Sequence, residues 1–295
     1  MAAGSEMSVC LLDDARAELG EGPVWVDEES AVYWVDIKGH RLNRYGLKDG
    51  MAKRWTLHDN LAWVLPRRSG GLVAGMRHEI GELVLEPDLQ FVPRVSVELD
   101  KPGNRLNDAK ADPDGGIMFG TMDDGETTPS GAFYRLLSDF SVQCIDTGYV
   151  IANGPAVAPD GSFVYHTDSA ARTVYRYARH TDGTLGSRQS FIRFAEEDGY
   201  PDGMTVDAEG GLWVAHWGGA RVSRFLADGS FERALPLPVS QVTSCCFGGK
   251  NLDRLFVTTA AIGLSVEMRT REPEAGGLFE LDPGISGLPA SCFAG

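Results

Sequence analysis

One pattern recurs six times along the 295-residue chain: an apolar run, a turn, and a second apolar run. Its clearest copy is Pro201–Trp217, in which Met204–Val206 and Leu212–Ala215 flank a turn at Glu209-Gly210. Two short β-rich runs joined by a Gly turn predict a hairpin. The copies open at Glu21, Trp63, Asn107, Asn153, Asp202 and Ser244, so successive starts lie 42, 44, 46, 49 and 42 residues apart. A repeat of this length made only of short strands predicts a propeller blade. The chain is therefore expected to be an all-β, six-bladed β-propeller with four antiparallel strands per blade.

The repeats consume the sequence, so residues 1–295 are expected to form a single propeller domain, with 1–6 frayed. Val9–Leu12 reads as a strand lying before the first copy, while the sixth copy lacks an outer strand. The N-terminal strand is therefore expected to close the last blade and remove an exposed edge. Gly70-Gly71 and Gly81 are read as turns of the second blade. The polar stretch Asp123–Gly131 follows the second strand of the third blade and reads as a solvated loop.

Composition removes several function classes. Lys and Arg number 27 against 42 Asp and Glu, a net charge of −15, which disfavours nucleic acid and anionic membranes. Cys10, Cys144, Cys245, Cys246 and Cys292 show no framework spacing, and free thiols in a reducing cytoplasm are expected. Met1–Ser8 has no charged segment followed by an apolar core, and no stretch approaches the ~20 apolar residues of a membrane helix. GxSxG, P-loop, GxGxxG and zinc-finger spacings are all missing. His78-Glu79 lacks the second His of a zincin helix, and Asp112-Pro-Asp-Gly115 lacks the rest of a calcium loop. The oligomeric state stays open, and a monomer is compatible with the sequence.

What remains is the set of residues that open the copies. In a propeller the first strand of each blade lines the central axis, so equivalent positions form a ring. Here the ring holds two carboxylates, two carboxamides, a hydroxyl and an indole, where a structural core would use Val or Leu. An Asp or Asn before Gly commonly serves a turn. Yet two carboxylates brought together require a cation or a proton between them. Glu21, Asp202 and the carbonyl oxygen of Asn153 form a hard-oxygen set suited to one divalent ion, Ca²⁺, Mg²⁺ or Mn²⁺, with Fe²⁺ and Zn²⁺ also possible.

Several segments carry a resemblance: Leu19-Gly-Glu21-Gly-Pro23, Asn104-Arg105-Leu-Asn107-Asp108, Gly120-Thr-Met122, Asn153-Gly-Pro155, Pro201-Asp202-Gly203, Trp217-Gly-Gly219 and Phe247-Gly-Gly249. In that order and spacing the chain resembles the regucalcin and gluconolactonase family of six-bladed propellers, and most of all bacterial aldonolactonases. The resemblance implies that Glu21, Asn153 and Asp202 bind the metal, with Asp202 also the catalytic base. It implies that Arg105, Asn107 and Glu126 contact a sugar-acid lactone, which is hydrolysed to the open acid. Trp63 and Trp217 either wall the pocket or pack in the core. Two other readings stay open: a metal-dependent ester or phosphoester hydrolase on the same scaffold, and a calcium-binding propeller without enzymatic activity.

Overall fold

The computed structural model describes residues 9–295, so the expected fraying of residues 1–6 lies outside the described part. Its strands form six antiparallel sheets of four. The inner strands are Gly20–Val26, Leu61–Pro66, Asn104–Ala111, Ala152–Val157, Tyr200–Val206 and Val242–Gly248. Each packs on the inner strand of the next blade, and the sixth returns to the first, closing a ring. Among the described residues the helices are one 3₁₀ turn, Glu196–Asp198, and the six-residue Val266–Arg271. None is long and apolar enough to cross a membrane.

Local sequence accounts for the layering. Strands near the axis are packed on both faces and read as continuous apolar runs. Ala31–Asp36 and Leu61–Pro66 are buried along their whole length. Outer strands such as Ala52–Thr56 and Phe231–Pro236 face solvent and carry charge. Gly81 departs from expectation. It lies inside the strand Glu79–Val84 at a register shift, and a Cβ there would sit 2.2 Å from the Val92 carbonyl oxygen. It is a close-approach glycine rather than a turn.

The ring closes as the sequence suggested. Cys10–Asp13 pairs antiparallel with Leu278–Leu281 and completes the sixth blade. A second closure was not legible. After Leu281 the chain runs along the hairpin turns that join first and second strands, at the end of the ring opposite Glu21. Ala208 N donates to Ser286 O, Gly287 N to Leu252 O, Phe293 N to Pro66 O and Ala294 N to Gly115 O. This strap ties blades five and six to blades two and three, with Phe293 fully buried as its anchor.

Every inner strand carries a β-bulge where it meets the axis. Glu21 pairs with Val35 and Val24 with Tyr33, leaving Gly22 and Pro23 opposite Trp34 alone. The same two-against-one step places Asn107-Asp108, Gly154-Pro155 and Asp202-Gly203 opposite single residues. In blades two and six the extra residues are Ala62 and Thr243. A bulge re-aims side chains and bends the strand. The openers thus do not share one register. Glu21 and Asn153 precede their bulges, Asn107 and Asp202 occupy the first bulged place, and Trp63 and Ser244 follow theirs. Trp63 is consequently buried against Phe119, 6.4 Å between ring centroids, and is a core residue.

Removing residues 1–12 would strip the outer strand from the sixth blade and expose the edge of Leu278–Leu281. The melting temperature is expected to fall by at least about 5 °C. A truncated chain that melts at the full-length temperature would contradict closure by this strand.

Candidate active site

The inner strands begin at one mouth of the ring, and there a cavity of about 610 Å³ opens. Glu21, Arg105, Asn107, Glu126, Asn153 and Asp202 all line it, as do Trp217, Tyr200, Lys38, Ser169 and Met122. The six residues singled out from sequence therefore meet in one place, although they come from four blades and a loop. None of the five cysteines lines this cavity.

Two aspartates at blade ends steer the strands that carry Glu21 and Asn153. The Asp36 carboxylate accepts from Glu18 N and Leu19 N, and that of Asp168 accepts from Val150 N and Ile151 N. Each thereby fixes the backbone two residues before the side chain that enters the axis. Glycine is required behind Asp202, because a Cβ on Gly203 would fall 2.2 Å from Ser244 Oγ and 2.9 Å from its Cα.

At the axis the charges crowd. Glu21 and Asp202 are almost completely buried, and so is a third carboxylate, Asp108. Burial, with the Asp108 charge second, pushes Glu21 from its ordinary 4.5 up to about 8. Burial, then Glu21 and Asp108, raises Asp202 well above the usual carboxylate range. Asp108 is raised too, chiefly by burial. Its Oδ1 accepts from Ala109 N at 2.7 Å and its Oδ2 from Gly154 N at 3.0 Å, which binds blade three to the bulge of blade four. Sequence reasoning missed Asp108 because the bulge that turns it inward is not visible as a pattern.

Neutral groups link the charged ones. Asn107 Nδ2 donates to Ala152 O at 2.9 Å and to Asn153 Oδ1 at 2.6 Å, and its Oδ1 accepts from Arg105 Nη1 at 2.6 Å. Both amide hydrogens of Asn107 are thereby used. Arg105 Nε donates to Asp124 Oδ1 at 2.7 Å, and Lys38 Nζ donates to the same oxygen at 2.6 Å. Arg105 is buried, which lowers its pKa, but the Asp124 carboxylate opposes that shift. The loop after Asp123 is solvent-exposed from Gly125 to Pro129, as the sequence suggested, and is held in shape by Asp123. Asp123 accepts from the backbone N of Gly125, Thr127 and Thr128 and from both threonine hydroxyls. Within it Glu126 adopts φ 56°, a left-handed conformation unusual for a side chain of this size, and reaches the cavity.

The donor set fits a hard cation. Asp202 Oδ1 is buried with no hydrogen-bond partner, a costly state for an anionic oxygen. Glu21 uses only Oε2, which accepts from Gly22 N at 2.9 Å. Among the described residues no three His, Cys, Asp or Glu side chains are grouped to hold a metal, and the neutral oxygen available beside the two carboxylates in the cavity lining is Asn153 Oδ1. The Asn107 bond leaves that oxygen one lone pair.

The carboxylate burial has a pH signature in cation-free protein. Glu21 binds its proton more tightly folded than unfolded, so its contribution is complete below about pH 4.5 and disappears as pH rises through about 8. His166 and His216, which burial pushes down to about 3 and about 4, are neutral in both states above about pH 7. Between pH 7 and 8.5 the melting temperature of chelator-treated protein is therefore expected to fall, and Glu21→Gln to flatten the fall. A wild-type melting temperature that rises over this interval would contradict a buried Glu21 carboxyl.

Comparison with known proteins agrees with this architecture. Residues 19–261 match the SMP-30/Gluconolactonase/LRE-like region. The pentonolactonase XacC of Haloferax volcanii is 38% identical over 96% of this chain and 97% of its own. An L-arabinolactonase of Azospirillum brasilense is 35% identical over 97% and 95%. The crystal structure of a calcium-binding protein, regucalcin, from Agrobacterium tumefaciens superimposes with a TM-score of 0.91 at 27% identity, covering 97% of each chain. The family match spans most of the propeller, and the chain belongs to the SMP-30/gluconolactonase/LRE-like family.

Proposed function

We propose that this protein hydrolyses a sugar-acid lactone, a five-carbon aldonolactone foremost, at the axial cavity and with one divalent cation held by Glu21, Asn153 and Asp202. The observation that carries the reading is the unpartnered Asp202 Oδ1, buried beside the Glu21 carboxyl on the floor of that cavity. The names of the pentonolactonase and arabinolactonase relatives support the substrate class, and that of regucalcin supports a bound cation. A cavity of about 610 Å³ accommodates a single sugar ring.

When bound, the cation would act as a Lewis acid on the lactone carbonyl and stabilise the charge that develops on its oxygen. The chain's own groups do the rest. Asp202 accepts the proton of the attacking water and returns it to the ring oxygen as the acyl C–O bond breaks. Water thus supplies OH to the acyl carbon and H to the departing hydroxyl, giving the open acid. Arg105 has Nε and Nη1 engaged with Asp124, Leu106 O and Asn107, which leaves Nη2 to donate to the substrate. Asn107 has no donor to spare and meets a sugar hydroxyl as an acceptor. Glu126 accepts from sugar hydroxyls at the rim, and the Trp217 ring covers the sugar carbons.

Side-chain replacements separate these roles. Asp202→Asn is expected to lower lactone turnover at least about a hundredfold, and Glu21→Gln to abolish cation uptake in a calorimetric titration. Asn153→Ala removes a neutral ligand and should weaken uptake less. Arg105→Ala should keep the cation yet lose about 10–100-fold in kcat/KM, the worth of a charged hydrogen bond. Spontaneous lactone opening must be subtracted throughout. Full turnover in Asp202→Asn with unchanged cation affinity would remove the axis from the chemistry. Cation uptake by wild type without turnover of any aldonolactone would favour a binding protein instead.

A further inference from the structure

The three proposed ligands share a device just behind them. The carbonyl of the residue before each one accepts a hydrogen bond from a buried side chain of another strand or loop. Thr243 Oγ1 donates to Gly20 O at 2.6 Å, Asn107 Nδ2 to Ala152 O at 2.9 Å, and Ser169 Oγ to Pro201 O at 2.6 Å. Glu21, Asn153 and Asp202 follow directly. Gly20, Ala152 and Pro201 are the paired residues that lead into each bulge, and these donors hold the strand where the ligand turns inward.

Ser169 differs from the other two because it touches a second ligand. Asn153 Nδ2 donates to Ser169 Oγ at 3.0 Å. The line then runs in one direction from Arg105 to Asn107, Asn153, Ser169 and Pro201 O. Its polarity is fixed at both ends. Arg105 can only donate, and Ala152 O and Pro201 O can only accept. Asn107 must therefore present nitrogen to Asn153, and Asn153 must present oxygen to Asn107 and nitrogen to Ser169. The Ser169 hydroxyl accepts from the amide, so its own hydrogen goes to Pro201 O. A reversed Asn153 would set two amide nitrogens against each other and turn a donor toward the cation.

We infer that Ser169 is a positioning residue of the axial site: its hydroxyl fixes the amide of Asn153 and the backbone of Asp202 with one atom. This rests on the cation reading above. Ser169 is almost completely buried and stands at the cavity wall, immediately after Asp168 in the turn that follows the second strand of blade four. In the sequence it is one serine among many, and nothing marked it out.

The test titrates Mn²⁺, and separately Ca²⁺, into chelator-treated wild type, Ser169→Ala and Ser169→Thr, with lactone turnover and melting temperature measured alongside. Ser169→Ala is expected to bind cation about 10–100-fold more weakly, the usual effect of losing a group that orients a ligand. Its cation-free melting temperature should stay within a few degrees of wild type, and Ser169→Thr, which keeps the hydroxyl, should recover most of the affinity. Unchanged affinity in Ser169→Ala, or equal loss in both variants, overturns the inference while leaving the cation site standing. A wild type that takes up neither ion overturns the cation site and this inference together.

Discussion

Burial of three carboxylates, with their mutual repulsion second, is the constraint around which the molecule is arranged. Glu21, Asp108 and Asp202 are withdrawn from water at the point where six strands converge. Desolvation is the larger cost of ionising them, and the charge of each neighbour adds to it. A fold selected for stability alone would place leucine or valine there. Protons answer the strain in the cation-free protein, which is why Glu21 and Asp202 are held so far above the ordinary carboxylate range. The divalent cation proposed above would answer it better, because it would contact several oxygens at once.

Holding those oxygens together depends on rigidity that begins far from the axis. The outer edge is closed by Cys10–Asp13, and the opposite mouth is crossed by the C-terminal strap. Between them Asp36 and Asp168 set where the first and fourth inner strands begin. The bulges then convert six parallel staves into six inward turns. With each layer fixed by the one outside it, the innermost side chains have little freedom, and the proposed ligand set would be pre-formed before a cation arrives.

The fold was legible because a propeller writes its architecture as a period. Six copies about 45 residues apart, each with a Gly turn between apolar runs, imply blades whatever else the chain contains. The polar openers were legible for a related reason, since Glu21, Asn153 and Asp202 stand where apolar residues are expected. Register was not. Aligning copies on their apolar runs placed Trp63 and Ser244 in the same ring as Glu21, whereas the bulges shift them past the axis. The same blindness hid Asp108, one residue from Asn107, and Ser169, whose role exists only through Asn153 and Pro201. Lys38 was equally silent, because its partner Asp124 lies in another blade. Pairwise contacts across blades leave no local pattern in a single sequence.

The most direct test is diffraction from crystals of catalytically active protein soaked in Mn²⁺, with data collected for the anomalous signal of the metal. One anomalous peak is predicted on the axis, in contact with a carboxylate oxygen of Glu21, the Asn153 Oδ1 and the Asp202 Oδ1. A preparation that hydrolyses aldonolactones but shows no peak there, or whose only peak lies away from these three residues, would contradict the account.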